Sequence, residues 1–339
     1  MKICIVGAGA IGGFLGTRLA AAGRSEVSAL ARGATLAALR QHGWRLHTAA
    51  GGLQQVPARA EDDARALGVQ DLVILTVKGP ALTQASASLG PLIGPDTLVL
   101  PAMNGVPWWF CQGLDGPAGG ALDSVDPGGQ IAAALPFAQV LGCVVHASAA
   151  CPEPGLVQHK MGQGLIVGEP GGGHSARAAA VVAVLADAGF EATLSDDVRT
   201  AIWYKLWGNL TMNPVSALTG ATADRVLADP LVRQFCSAAM AEASAIGARI
   251  GCPIDQTPEQ RHAVTARLGA FKTSMLQDAQ AGRPIELDAI VTAVREIGAR
   301  LAIPTPSIDA LLGLTRLFGR VHGLYPDAPE APPAQPAQT

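Results

Sequence analysis

Three polar side chains recur at four-residue spacing in the segment IWYKLWGNLTMNP, namely Lys205, Asn209 and Asn213. On a helix of about 3.6 residues per turn, each step of four residues advances by only about 40°, so the three share one stripe. Trp203 and Trp207 lie on a different side, which can pack against a core. Burying an ammonium and two amides is unfavourable unless they are paired, and a bound anion or carbonyl ligand would pair them. The alternative is a solvated stripe with an extended lysine.

A glycine-rich loop lies near the N-terminus, after a strand-like run at 2–6 and before a helical run that ends near residue 22. Its G-x-G-x-x-G spacing provides a tight turn, close approach of the backbone to a pyrophosphate, and close packing of helix on strand. The free N–H groups of a helix N-terminus also favour phosphate. The strand–turn–helix context therefore predicts a dinucleotide-binding loop. Its predicted contacts are Gly7, Ala8, Gly9, Ala10, Ile11 and Gly12.

The second predicted strand, 27–31, is followed by Arg32. Proteins that bind NAD usually have Asp or Glu here to bond the ribose hydroxyls, and Glu26 begins the strand, far from that position. A guanidinium suits the 2′-phosphate of NADP because it can donate two N–H bonds to it. We therefore expect NADPH to be preferred over NADH. The alternative is a solvated loop arginine.

Two further polar residues, Lys78 in TVKGP and Asn104 in AMNGV, come directly after predicted strands. Ligands of open α/β sheets bind at the carboxyl ends of the strands, so we predict that both residues contact the cofactor. Either could instead be a turn residue, because Asn-Gly at 104–105 favours a turn. The predicted strands of this region are 71–77, 97–100 and 141–148, with a helix at 80–89 and another at about 175–188.

The second half of the sequence is predicted to be helical, because from residue 198 onward apolar residues recur at helical spacing and no β alternation is visible. Pro214 should kink or end the helix that carries Lys205. Ser274 lies on a predicted helix, and Glu286 follows a Gly-Arg-Pro break at the start of the next. Glu286 is either a first-turn acid favoured by the helix dipole or, with Ser274, a side chain that holds substrate and lysine.

These patterns predict an α/β fold class, with an N-terminal Rossmann-type doubly wound parallel sheet and a C-terminal all-α domain. The 339 residues exceed what one core usually supports. We place the boundary beside Asp197, which can cap the following helix. The expected domains are an NADP-binding domain at 1–196, an all-α substrate and catalytic domain at 197–325, and a disordered tail rich in Pro, Ala and Gln at 326–339.

Composition excludes several classes of protein. Hydrophobic residues make up 49% of the chain and charged residues 15%, which is typical of a globular protein. The net charge of −3 and the lack of a Lys/Arg run argue against a nucleic-acid partner, and no apolar run reaches the ~18 residues of a membrane span. The six cysteines form no C-x-x-C pair and no signal peptide is visible, so we expect a reducing, cytoplasmic environment. The seven histidines show no metal-ligand spacing, so no metal is predicted.

Taken in order, the motifs resemble the ketopantoate reductase (2-dehydropantoate 2-reductase) family. The resemblance extends to about residue 325 and rests on GAGAIGG, Arg32, TVKG, MNG, K-x-x-x-N-x-x-x-N-P at 205–214 and SMLQD…IELD at 274–288. It implies NADPH-dependent reduction of a 2-keto acid, most directly 2-dehydropantoate to pantoate in pantothenate biosynthesis. It also implies that Lys205 is the general acid and that Glu286 binds the substrate and the lysine. The residues implied to hold the keto acid are Asn104, Asn209, Asn213 and Ser274.

The segment VPWWFCQGLDGPAGGALDSVDPGGQI departs from the family, in which this region is shorter and lacks the paired Trp108 and Trp109. The two aromatic residues either line an enlarged or differently shaped pocket or form a surface flap that packs on the domain interface. This departure leaves the identity of the substrate open.

Two alternatives to ketopantoate reduction therefore stay open. One is an NADP-dependent reductase or dehydrogenase of another 2-keto or 2-hydroxy acid on the same scaffold. The other is a non-catalytic NADP(H) sensor, which would need the glycine loop and Arg32 but not Lys205 and Glu286. Either way the expected ligand beyond the cofactor is a small molecule, and an exposed apolar helical surface would make a homodimer reasonable.

Overall fold

The computed structural model describes residues 1–327, apart from the side chain of Pro80, and begins with alternating strands and helices. The strands are β1 (Lys2–Val6), β2 (Glu26–Leu30), β3 (Trp44–His47), β4 (Leu53–Val56), β5 (Arg59–Glu61), β6 (Leu72–Leu75), β7 (Leu98–Pro101), β8 (Gly142–Glu153), β9 (Leu156–Gly168) and β10 (Glu191–Ser195). The helices up to residue 196 are α1 (Ala10–Ala22), α2 (Gly33–His42), α3 (Ala64–Leu67), α4 (Gly79–Ser86), α5 (Gln130–Ala134) and α6 (Ala176–Asp187).

The described chain continues as helices from residue 198 onward, which confirms the predicted helical second half. These helices are α7 (Val198–Thr219), α8 (Ala223–Ala228), α9 (Pro230–Arg249), α10 (Pro258–Ala266), α11 (Ser274–Gln280), α12 (Ala293–Arg300) and α13 (Pro306–Val321). A π-helical turn, Asp288–Thr292, leads into α12. None of the described helices is both long and apolar enough to cross a membrane.

A five-stranded parallel sheet in the order β5-β2-β1-β6-β7 confirms the predicted Rossmann-type fold. Its central strands are apolar on both faces, as is usual for a parallel sheet covered on both sides, and β6 is fully buried. From β1 the chain adds strands toward one edge of the sheet, and from β6 it adds them toward the other edge. The expected crevice for a ligand therefore lies at the carboxyl ends of β1 and β6.

A second sheet, which contains the predicted strand 141–148 as β8, has the order β10-β9-β3-β4, with β8 paired antiparallel to β9. Helix α1 lies between the two sheets, and its glycines allow the second sheet to come close. A Cβ on Gly13 would lie 2.5 Å from Val157, and a Cβ on Gly16 would lie 2.4 Å from the Trp44 ring. The glycines of α1 therefore serve packing as well as the loop that precedes them.

Helix α7 begins after Asp197, whose carboxylate accepts the Thr200 N–H as predicted for a cap. The helix does not end at Pro214 but continues to Thr219, and the proline is buried within it. Trp203 and Trp207 are buried, as expected, and their Nε1 atoms donate to carbonyls of α9.

One large hydrophobic cluster extends across residue 197. The Phe110 ring stacks on Trp203 of α7 with centroids 5.8 Å apart. The division into domains at 196/197 therefore stays a prediction. The predicted disordered tail concerns mainly 328–339, which lie outside the described residues.

Candidate active site

The glycine loop between β1 and α1 has the geometry that a pyrophosphate requires. Gly7 has a φ of +91°, which L side chains rarely adopt, and its N–H donates to the Leu30 carbonyl at 3.1 Å. A Cβ on Gly12 would lie 2.2 Å from the Gly7 carbonyl oxygen, whereas a Cβ on Gly9 would meet no atom within 4 Å. Gly9 therefore borders open space, and no side chain caps the first N–H groups of α1. The loop fits a dinucleotide.

Arg32 follows β2 and immediately precedes α2. Because β2 pairs in parallel with β1, Arg32 and the glycine loop leave the same edge of the sheet side by side. The Arg32 side chain is exposed and makes no hydrogen bond or ion pair with any residue from 1 to 327. Its guanidinium is thus free to bind an anion next to the loop.

Lys78 follows β6 and connects the sheet to the helical part of the chain. Its Nζ lies 2.6 Å from the Asp278 Oδ2 of α11 and also donates to the Pro284 carbonyl at 3.5 Å. Arg283 reaches the other carboxylate oxygen of Asp278 at 3.0 Å. Lys78 therefore lies at the carboxyl end of β6, as predicted, but it is paired with an acid that the sequence patterns did not single out, and its contact with the cofactor stays a prediction.

Lys205 of α7 directs its ammonium at two oxygens of the first half of the chain. Its Nζ donates to Asn104 Oδ1 at 2.7 Å and to the Val145 carbonyl of β8 at 2.6 Å. Burial lowers the pKa of Lys205 to about 8, although the Cys143 thiol and the Glu286 carboxylate act in the opposite direction. The lysine is therefore a partly buried cation poised to release a proton near neutral pH.

Asn104 lies in a bend and accepts a hydrogen bond from Lys205, which agrees with the turn interpretation of AMNGV; its contact with the cofactor stays a prediction. Gly105 has a φ of +81°, and a Cβ there would lie 2.4 Å from the Ala289 carbonyl oxygen. The next N–H, that of Val106, donates to the same carbonyl at 2.7 Å. The turn is thereby fixed against the segment that carries Glu286.

Glu286 lies just before the helical segment that contains the π-turn, as predicted for a residue that opens a helix. Its Oε1 accepts the Gly79 N–H of α4 at 3.3 Å. Burial raises the pKa of Glu286, while the Gly79 bond and the charges of Lys78 and Lys205 oppose that rise. The charges of Glu286 and Lys205 influence each other's pKa, but the two groups form no salt bridge.

The structure brings Asn104, Lys205 and Glu286 together, and none of the other predicted substrate contacts forms a hydrogen bond with them. Asn209 is partly buried one turn after Lys205, and Asn213 is 4% exposed with its Nδ2 unpaired. Ser274 is exposed at the start of α11. Thr273, which precedes it, lies 2.5 Å from the Ser216 hydroxyl of α7 and so ties the two helices together.

Sequence reasoning missed three participants, namely Asp278, Val145 and His146. Asp278 carried a signal, since it belongs to the SMLQD motif. Val145 acts through its backbone oxygen, which no residue type reveals. His146 follows it on β8, next to an irregularity in the β8–β9 register, and bulges of this kind often adjoin active sites.

A mostly apolar cavity of about 220 Å³ opens beside Asn104 and Glu286. Trp108 lines it together with side chains of α4, whereas Trp109 is fully buried and is not part of the lining. Trp109 instead packs near Phe110, with ring centroids 6.2 Å apart. Both side chains are buried, so they do not form a surface flap, and Trp108 borders the cavity. A larger cavity of about 450 Å³ lies beside α1 and contains none of the predicted site residues.

Comparison with known proteins gives two matches that together cover most of the chain. Residues 3–172 match the family model "Ketopantoate reductase PanE/ApbA", and residues 197–318 match its C-terminal counterpart. The chain belongs to the ketopantoate reductase family. The Rossmann-type sheet with its glycine loop lies within the first matched range, and most of the helical second half lies within the second matched range.

Individual relatives agree with the family. The chain is similar to a 2-dehydropantoate 2-reductase of Mesorhizobium japonicum, with 44% identity over 96% of this chain and 100% of the relative. It is also similar to the crystal structure of a candidate ketopantoate reductase of Ralstonia solanacearum, with 57% identity, a TM-score of 0.92, and coverage of 96% and 99%. A D-mandelate dehydrogenase solved with NADH and anilino(oxo)acetate shares the fold at 21% identity, with a TM-score of 0.81 and coverage of 96% and 100%.

Proposed function

We propose that this protein reduces 2-dehydropantoate to pantoate with NADPH, and that Lys205 is its general acid. The observation that carries the proposal is the Lys205 ammonium, which is held by Asn104 and Val145 and has a pKa lowered to about 8. A general acid works best when its pKa lies near the operating pH. The similarity to the Mesorhizobium japonicum enzyme supports the choice of substrate.

The cofactor preference rests on Arg32 and the glycine loop. When the cofactor is bound, the loop would hold the pyrophosphate through backbone N–H groups, and the free guanidinium of Arg32 would bind the 2′-phosphate of NADPH. Lys78, at the end of β6, and Asn104 border the same crevice, where they contact the cofactor. When bound, the reduced nicotinamide supplies the hydride, and the protein supplies the proton.

The proton comes from Lys205. As the keto carbon is reduced, negative charge grows on its oxygen, and the ammonium stabilises that charge and donates a proton to it. Solvent then restores the proton to Lys205. Glu286 is close enough to Lys205 to favour its charged form, and it binds a hydroxyl of the substrate.

The remaining polar side chains hold the 2-keto acid. Asn213 has a buried amide nitrogen with no partner, and such a group needs an acceptor. Asn209 lies between it and Lys205 on the same stripe, and Ser274 adds a hydroxyl from α11. These neutral groups orient the substrate without adding a titrating group next to the lysine.

A second candidate function is the reduction of another 2-keto acid by the same mechanism. The observation that favours it is the cavity lined by Trp108, whose 220 Å³ offers apolar space beside Asn104 and Glu286 for a larger substituent. The two candidates share every catalytic residue and differ only in the substrate.

The experiment is NADPH oxidation by the purified protein across a series of branched and linear 2-keto acids. We expect kcat/KM to be highest for 2-dehydropantoate, and higher with NADPH than with NADH. A clear preference for another 2-keto acid would establish the second candidate. Consumption of NADPH with none of them would contradict both and leave the non-catalytic sensor.

A further inference from the structure

Arg261 of α10 lies against α7 next to the polar stripe. Its guanidinium carbon is 4.8 Å from the centroid of the Tyr204 ring, and its Nη1 donates to the Tyr204 hydroxyl at 3.3 Å. That hydroxyl donates in turn to the Gln256 Oε1 at 2.9 Å. These contacts hold the guanidinium over Tyr204, the residue that precedes the proposed general acid in sequence.

Gly208 allows the guanidinium to lie directly on the helix. A Cβ at this position would be 2.7 Å from Nη2 and 2.8 Å from Nε of Arg261. Residues three apart on a helix are surface neighbours, so a group that covers Gly208 lies beside Lys205. Glycine in a helix interior is unfavourable, and here it has a spatial reason.

The guanidinium lacks a negative partner. Over the described range, Arg261 forms no ion pair, and its Nε is buried without any hydrogen-bond acceptor. A buried N–H of a charged group needs an acceptor, and none is supplied by the protein. Burial lowers the pKa of His146 on β8, and the charges of Lys205 and Arg261 lower it further, so both cations act on this residue.

We propose that Arg261 binds the carboxylate of the 2-keto acid, beside the Lys205 ammonium that faces its keto oxygen. This inference rests on the proposed function and deepens it, because it assigns a charged partner to a group that otherwise has only amides and a hydroxyl. A guanidinium matches a carboxylate through two parallel N–H bonds. It also sets the substrate class: a carboxylate one bond from the keto carbon, within reach of both cations.

The carboxylate keeps its charge throughout the reduction, so Arg261 contributes about equally to the bound substrate and to the transition state. Its loss should therefore act on KM and not on kcat. For Arg261→Gln and Arg261→Lys we expect KM for the 2-keto acid to rise by about 10- to 100-fold, with kcat changed by less than about threefold. The Kd of NADPH should stay at the wild-type value.

Two further measurements separate this role from a structural one. The methyl ester of the substrate lacks the carboxylate charge, so it should be a poor substrate of the wild type, while Arg261→Gln should hardly distinguish ester from acid. Pantoate titrated calorimetrically into protein saturated with NADP⁺ should bind about 10- to 100-fold more weakly to Arg261→Gln than to the wild type.

Matched variants provide the controls. Arg267→Gln removes an exposed arginine at the end of the same helix and should leave KM unchanged. Gly208→Ala should displace the guanidinium and raise KM, while the better helix former keeps the melting temperature from falling. If Arg261→Gln does not fold, Arg261→Lys and Gly208→Ala carry the test.

An Arg261→Gln protein that folds, binds pantoate like the wild type and shows the wild-type penalty for the ester would overturn the inference. If instead the wild type reduces no 2-keto acid, the proposed function fails on its own. The pantoate titration then still decides whether Arg261 binds a carboxylate, since equal affinities in wild type and variant refute it.

Discussion

The proposed chemistry depends most directly on Lys205 and its ammonium group. Its interaction with the keto oxygen strengthens as the alkoxide forms, so its removal should raise the barrier and leave the ground state nearly unchanged. We expect Lys205→Ala to lower kcat by about 10²- to 10⁴-fold, measured under NADPH saturation with the best 2-keto acid. NADPH affinity should hardly change, because the glycine loop and Arg32 lie in the other half of the chain.

Two sets of control variants separate proton donation by Lys205 from charge stabilisation and from substrate binding. Lys205→Arg keeps a cation that does not release its proton, so it should retain oxyanion stabilisation but lose proton donation. Asn209→Ala and Ser274→Ala should act mainly through KM, since they touch the substrate before and after the reaction alike. A folded Lys205→Ala protein with wild-type kcat would exclude Lys205 as the general acid.

The pH profile tests the same residue without altering the site. Only the protonated form can donate, and burial lowers the pKa of Lys205 to about 8. The rate should therefore be constant below that pH and fall about tenfold per pH unit above it. This decrease is measured in kcat/KM across the range, because kcat/KM reports the pKa values of the free enzyme. The decrease should be absent from the residual activity of Lys205→Ala, and its persistence there would assign it to another group.

Arg32 decides between the two nicotinamide cofactors. Loss of a charged, bidentate contact costs roughly 1.5–3 kcal/mol, so Arg32→Ala should weaken NADPH by about 10- to 100-fold and leave NADH almost unaffected. Fluorescence titration of both cofactors measures this. Arg24→Ala, which removes an exposed arginine before the same strand, is the control. Equal losses for NADPH and NADH would show that Arg32 does not bind the 2′-phosphate.

At the scale of elements, the segment between β7 and β8 contains two tryptophans in different environments. Trp108 lines the cavity beside Asn104, so Trp108→Ala should change the preference between 2-keto acids with small and large C3 substituents by about 1–3 kcal/mol, measured as the ratio of their kcat/KM values. Trp109 lies in the core, so Trp109→Ala should cost about 3–5 kcal/mol of stability and shift all substrates alike. If either alanine variant does not fold, the corresponding Trp→Phe variant is used instead. A uniform shift for Trp108→Ala would make the whole segment structural.

The elements themselves differ in how far sequence could predict them. The first strand, the glycine loop and α7 follow from local periodicity and from residue types with fixed conformational demands. Strands β3 and β4 of the second sheet did not, because they have four residues each and gain stability only by pairing within that sheet. Short strands of this kind carry no periodic signal of their own. The continuation of α7 past Pro214 likewise could not be predicted from the local sequence, because a proline usually kinks or ends a helix.

At the scale of the whole molecule, the contacts of the site join residues that are far apart in the chain. This separation limits how much of the site could be predicted from the sequence. The Lys205 stripe could be predicted from spacing within one helix, but its two acceptors lie 101 and 60 residues away in the chain. Lys78 was placed at the right edge of the sheet, yet its ion pair with Asp278 forms only when α11 folds back on that edge. Residue types identified the candidates, and only the tertiary fold determines which of them meet.

Because Lys205 becomes buried only when the protein folds, its protonation is coupled to folding. In the unfolded chain the ammonium titrates near the ordinary lysine pKa of 10.5, and in the folded protein its pKa is about 8. Between these values the unfolded state binds more protons, so folding releases a proton from this side chain and stability gains from rising pH. Buried thiols such as Cys143, whose pKa is raised to about 12, take up protons over part of the same range.

Comparison of wild type with Lys205→Met therefore isolates the lysine. Calorimetric unfolding near pH 9, in buffers with different heats of ionisation, should show that the wild type takes up close to one more proton on unfolding than the variant does. An equal proton count in the two proteins would mean that the lysine keeps an ordinary pKa when folded. Folding of the helix that carries Lys205 against the segments that carry its acceptors thus releases a proton from the lysine. A rise in pH therefore stabilises the folded site and at the same time slows its proposed reaction.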